Sequence, residues 1–126
     1  MRMLVGTIAL LLAITGFSLF MYHQTATISN ELTTSLMRLK NNIKQEEWAE
    51  AHSELKSLHA SWEKADSWWT PFMDHREIND LAQAIARLST LVEIGQKNEA
   101  LVEVDAAVAI VQRIMEREGP SIKNIF

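Results

Sequence analysis

The apolar positions of this chain fall into two patterns. Residues Met3 to Tyr22 (MLVGTIALLLAITGFSLFMY) carry no charged side chain. At 1.5 Å per residue a helix of that length covers about 30 Å, the hydrocarbon thickness of a bilayer. Beyond this run the apolar positions step by three and four, which gathers them on one face of a helix. One set is Leu32, Leu36, Leu39 and Ile43, and the next is Trp48, Ala51, Leu55, Leu58, Trp62 and Ala65. A third is Ile78, Leu81, Ile85, Leu88 and Val92, and the last is Leu101, Val104, Val108, Val111 and Met115. The pattern predicts an all-α chain, with an N-terminal transmembrane helix followed by four amphipathic helices.

The helix ends are readable as well. Ile43 to Trp48 is a step of five, and a continuous seam would carry Glu46 and Glu50 inward. A tight turn at Gln45–Glu47 satisfies this better than one bent helix, the alternative. Asp74-His75-Arg76-Glu77 has the capping-box pattern, in which Asp74 accepts from backbone N–H groups and Glu77 reaches back to the cap. Gly95 is placed to end the third helix in the left-handed conformation, and Gly119-Pro120 comes after the fourth. Shifting the sequence by 49 residues pairs Leu32 with Leu81, Leu36 with Ile85, Arg38 with Arg87 and Leu39 with Leu88. The same shift sets Ile43 on Val92, Leu55 on Val104, Trp62 on Val111, and Glu46 on Gly95. The expectation is two antiparallel helical hairpins packed as a four-helix bundle. A tetratricopeptide-like array does not fit, because the period is too long. The expected division is 1–23 for the cytoplasmic N-terminus and anchor, 24–118 for the bundle and 119–126 for a C-terminal tail.

The residues after the apolar run bear on whether it stays attached. A cleaved signal has an apolar region of about 7–15 residues and a small-x-small cleavage site. Here the run is longer and Gln24 stands two positions before Ala26. A retained anchor is the expectation, and a cleaved signal the alternative. With no cysteine to accept a lipid, a lipoprotein does not fit. Arg2 and the amino terminus precede the run, whereas no Lys or Arg comes after it until Arg38. The positive-inside rule then places the N-terminus in the cytoplasm and the domain on the outer face of the cell membrane.

Composition narrows the function classes. The formal charge is −4 and acidic and basic residues are interspersed, so no basic stripe exists to neutralise phosphates and nucleic acid is not an expected partner. His52 and His59 stand seven apart, whereas metal ligands on a helix are usually three or four apart. His75 has Asp74, Glu77 and Asp80 nearby in sequence, but those spacings do not converge. No nucleophile–base–acid set, glycine-rich phosphate loop or inward carboxylate pair can be assigned, so no catalytic residue, metal or cofactor is expected. Asp105 is the acid nearest a core face of the last helix, which predicts a salt bridge to a neighbouring helix.

Helix lengths add a geometric expectation. If the first bundle helix rises from the span and the second returns, Trp68, Trp69, Phe72 and Met73 lie at the membrane-proximal end. So do Ile122, Ile125 and Phe126. These seven are the candidate interaction residues, an aromatic foot on the bilayer or on a membrane partner. The competing reading is that they only close the bottom of the core.

Several features resemble one family. They are the N-terminal anchor, the region of Trp62 and Trp68, the run His75-Arg76-Glu77-Ile78-Asn79-Asp80-Leu81, Arg87-Leu88 and the terminal Asn124-Ile125-Phe126. The chain resembles short, membrane-anchored bacterial proteins of unknown function from Gram-positive spore formers. That family tends toward a His-x-Glu-Ile-Asp run, and Asn79 stands at its final position here. The resemblance implies architecture and location, not a reaction.

Three classes remain: a noncatalytic accessory or interaction protein, a sensor-like ligand-binding bundle of the outer face, and an enzyme. The residues favour the first. Its expected partners are membrane lipid, through the N-terminal helix, and another membrane or envelope protein.

Overall fold

The computed structural model describes residues 1–71 and 73–125, with side chains as far as residue 116. Four helices run in order: α1 (Arg2–Lys44), α2 (Trp48–Trp69), α3 (His75–Glu93) and α4 (Lys97–Ile125). The apolar run and the first bundle helix are one element. No glycine or proline interrupts His23-Gln24-Thr25-Ala26-Thr27, so nothing ends the helix where the apolar run stops. The 43 residues of α1 measure about 65 Å. Its lower half is long and apolar enough to cross a membrane and stands clear of the rest of the protein. Its upper half is buried from Thr25 onward through Ile28, Leu32, Leu36, Leu39 and Ile43.

That upper half packs with α2, α3 and α4 in an up-down-up-down bundle. α1 lies against α2 and α4, and α3 lies against α4 and, less closely, α2. The expected apolar seams of α1 and α3 are buried throughout. On α4 the seam is turned: Ala100, Val104, Ala107, Val111 and Ile114 are buried, whereas Leu101 and Val108 are only partly covered. Ala100 and Ala107 take central positions there, and the larger Leu101 and Val108 lie at its flank. Trp62, placed mid-seam by its spacing, is likewise only partly buried. The bounds of α4 carry it past Gly119-Pro120, where the sequence suggested a tail.

The two hairpin turns are built alike. After α1, the Glu47 N–H donates to Asn42 C=O at 2.9 Å and the Glu46 N–H to Ile43 C=O at 3.0 Å. After α3, the Gln96 N–H donates to Leu91 C=O at 2.9 Å and the Gly95 N–H to Val92 C=O at 3.1 Å. Both are Schellman caps, which need a left-handed residue between helix and exit. Gly95 supplies it with φ 72°, and Glu46 supplies it with φ 57° despite its Cβ. All four donor and acceptor positions of one turn map onto the other by the 49-residue shift.

The core obeys the same shift. Buried Ala51 falls on buried Ala100, Leu55 on Val104, Leu58 on Ala107 and Ala65 on Ile114. The bundle is therefore two structurally equivalent hairpins. At the start of α3 the Asp74 carboxylate accepts from the Arg76 N–H at 2.9 Å, the cap expected there.

Candidate interaction surfaces

Three surfaces of the bundle hold the chemistry. The first is its lower end. Phe20, in the last turn of the apolar run, meets Trp68 of α2 edge-on, with ring centroids 6.2 Å apart. Trp68 is half-buried and Thr70 and Pro71 beside it are exposed. Trp69, one residue on, points the other way and is 1% exposed, so it plugs the core. Met73 is half-buried against that core, and its N–H donates to Trp69 C=O at 2.8 Å. The candidate foot thus divides between Trp69, which plugs the core, and a half-buried Trp68, which packs against that core and meets Phe20. Phe72 and Phe126 lie outside the described residues, as do the side chains of Ile122 and Ile125. The sequence singled out Trp68 but not its partner Phe20, which the apolar run hides among many equivalent residues.

The second surface is an outward groove of about 540 Å³ between α1 and α2. α1 contributes Thr27, Asn30, Thr34 and Arg38, and α2 contributes Ser57 and Ser61. Lys64 and Glu31 pair at 3.4 Å at its lower rim, with both side chains close to half exposed, so the pair is weak. This groove was missed from sequence. Its signal is a run of short polar residues at helical spacing, which reads by default as a solvated face.

The third is a groove of about 340 Å³ between α2 and α3, bounded by His52, Leu55, Lys56, His59, Ser89 and Glu93. The 49-residue shift explains it. Its counterpart, the α1–α4 seam, is filled by Leu101 and Val108 where α2 has His52 and His59. There Lys40 and Asp105 pair at 2.9 Å, the interhelical bridge expected of Asp105. On the α2–α3 side, His59 Nε2 instead lies 3.0 Å from Ser89 Oγ. Two exposed histidines in place of two aliphatic residues account for the looser contact of these helices. Among the described residues, no three His, Cys, Asp or Glu side chains gather as a metal site would need.

This helix bundle, with its long apolar N-terminal run, matches one known family. The sequence model of the Domain of unknown function (DUF4363) covers residues 19–125. The chain belongs to that family. No curated protein and no solved structure matches it. The DUF4363 match begins at Leu19, so it takes in Phe20, both hairpins and Trp68 together, and leaves most of the apolar run outside.

Proposed function

We propose that this DUF4363 protein is a noncatalytic, single-span membrane protein whose bundle stands on the outer face of the cell membrane as the accessory of another membrane or envelope protein. The contact of Phe20 with Trp68 carries the reading. It supports a bundle whose lower end rests in the headgroup layer, since an indole is favoured there and Phe20 belongs to the span. An unbroken α1 supports a fixed mount in place of a flexible tether. Arg2 before the span, with no Lys or Arg until Arg38 after it, supports an outer-face domain.

A bundle held this close to the bilayer reaches only partners in or on that membrane. Two experiments test the proposal together. Protease added to intact wall-stripped cells is expected to digest residues beyond the span, and full protection overturns the orientation. Solubilised membranes are expected to yield the chain with a stoichiometric integral-membrane protein. Isolation with a small molecule and no protein would favour the sensor-like reading, for which the α2–α3 groove is the supporting observation.

A further inference from the structure

One face of α1 differs from the rest along its whole length. In the span it carries Gly6, Ala9, Ala13, Gly16 and Phe20. Above the span the same three-and-four steps continue through His23, Thr27, Asn30, Thr34 and Arg38. Because α1 is unbroken from Arg2 to Lys44, these residues share one side of one rod.

The lower half of this face is a shallow lane. A Cβ added at Gly6 or Gly16 would meet nothing within 4 Å, while Leu10 and Phe17 stand out along one edge and Leu12 and Leu19 along the other. Small residues of this kind let a second helix backbone approach closely in lipid, where packing in place of hydrophobicity drives association.

The upper half is the hydroxyl-lined α1–α2 groove. Ser35 lines it, is only 7% exposed, and makes no hydrogen bond among the described residues. Thr27, in contrast, donates to His23 C=O at 3.0 Å. The Ser35 hydroxyl oxygen is open to the groove and so is available to an incoming hydrogen-bonding group. Arg38 makes no ion pair among the described residues, although its equivalent Arg87 donates to Glu103 at 2.9 Å. The equivalent groove of the second hairpin has Ala84, Ala106 and Ile110 where this one has Ser35, Ser57 and Ser61. The polar groove, with an unpaired guanidinium at its rim, thus belongs to the first hairpin, whereas the equivalent position of the second holds the paired Arg87.

Resting on the accessory role, we propose that this face seats one transmembrane helix of a different membrane protein. That helix stays helical for about 24 Å beyond the bilayer, the rise from Tyr22 to Arg38. It presents a carboxylate at the height of Arg38 and a hydrogen-bonding side chain to Ser35. A free ligand in the groove would leave the small-residue lane unexplained, whereas a long helix fills both. A second copy fits worse: copies anchored in the same sense run parallel at equal height, which sets Arg38 against Arg38.

Photo-crosslinking in the full chain, in its native membranes, tests this. A photoreactive residue replaces Ala13 or Thr34 on the proposed face. Controls replace Leu11, on the opposite side of α1, or Gln83, the equivalent of Thr34 in the second hairpin. Ala13 and Thr34 are expected to give the same adduct to one other membrane protein, at about tenfold or greater yield over either control. Arg38→Glu is expected to cut the Thr34 adduct by a similar factor while helicity is retained. Different adducts at Ala13 and Thr34, no protein adduct, an adduct of twice the chain's mass, or indifference to Arg38→Glu each overturns the proposal. A partner that copurifies but crosslinks through Leu11 or Gln83 sinks this face and spares the accessory role. Failure of both crosslinking and copurification sinks both.

Discussion

The Phe20 ring meets the Trp68 indole at 60° and 6.2 Å, a T-shaped contact between the end of the apolar run and the far end of α2. Edge-on aromatic pairs at this distance contribute about 0.5–1.5 kcal/mol beyond the area they bury. The larger consequence is positional. α1 alone would fix the height of the bundle's own α1 residues. The aromatic contact also ties the α2–α3 end to the level of the last turn of the apolar run, so on the proposed membrane mount the bundle leans away on that side only by breaking it.

Fluorescence reads that height directly. The chain has four tryptophans, and a variant keeping only Trp68 can be compared in vesicles with one keeping only Trp48, at the opposite end of α2. Trp68 is expected to be quenched by shallowly brominated lipids, and Trp48 to be untouched, because α2 carries it about 30 Å farther away. Equal behaviour of the two would mean that the bundle is not upright. Phe20→Ala is expected to lower the Trp68 quenching and broaden its emission.

Packing gives a sharper energetic contrast. Leu88 is fully buried, so Leu88→Ala is expected to cost about 2–5 kcal/mol through lost burial and the cavity left behind. Trp62 is only partly covered, so its truncation should cost less than its size suggests. His52→Ala and His59→Ala, at exposed positions, should each stay within about 1 kcal/mol. Chemical denaturation of the solubilised chain, followed by circular dichroism, checks the order.

The equivalent turns form an internal control. Glu46 holds the left-handed conformation at φ 57°, where an L side chain is strained and glycine is not. Glu46→Gly is therefore expected to stabilise by roughly 0.5–1 kcal/mol, after the small loss of its 3.7 Å pair with Lys97. Gly95→Ala should destabilise by about 1–2 kcal/mol. A Cβ there meets nothing within 4 Å, so that cost is backbone conformation alone. Melting temperatures of the two variants should move in opposite directions.

Core faces and turns were legible because each is set by local rules. Leu32 to Ile43 and Ile78 to Val92 are spaced for one helix face, and a step of five marks the first turn. The equivalence of Glu46 and Gly95 is visible in the 49-residue shift of the sequence itself. What stayed hidden depends on which helices become neighbours. The period of α4 admits two adjacent stripes, and only close packing selects Ala100 and Ala107 over Leu101 and Val108 for the centre. Phe20 is one apolar residue among many until α2 brings Trp68 beside it. The groove of Thr34 and Ser61 exists only once α1 and α2 lie side by side.

The same logic predicts how to close the α2–α3 seam. α2 and α4 are equivalent helices, yet His52 and His59 stand where α4 has Leu101 and Val108. The imidazoles keep one edge toward water, and α2 and α3 meet less closely than α1 and α4. Replacing both, His52→Leu with His59→Val, should let the helices approach and bury two aliphatic side chains. His59 gives up its 3.0 Å contact with Ser89, but the Ser89 hydroxyl still donates to Ile85 C=O at 3.0 Å, so no buried polar group is stranded. The double variant is expected to gain about 1 kcal/mol or more, at 25 cal/mol per Å² of apolar surface covered. Thermal denaturation of the solubilised chain measures that gain. A loss of stability would mean that the seam is held open by the backbone and not by the histidines. If the stabilised variant also loses a function that Leu88-preserving surface changes leave intact, the open seam is used, and the histidines are there to keep it open.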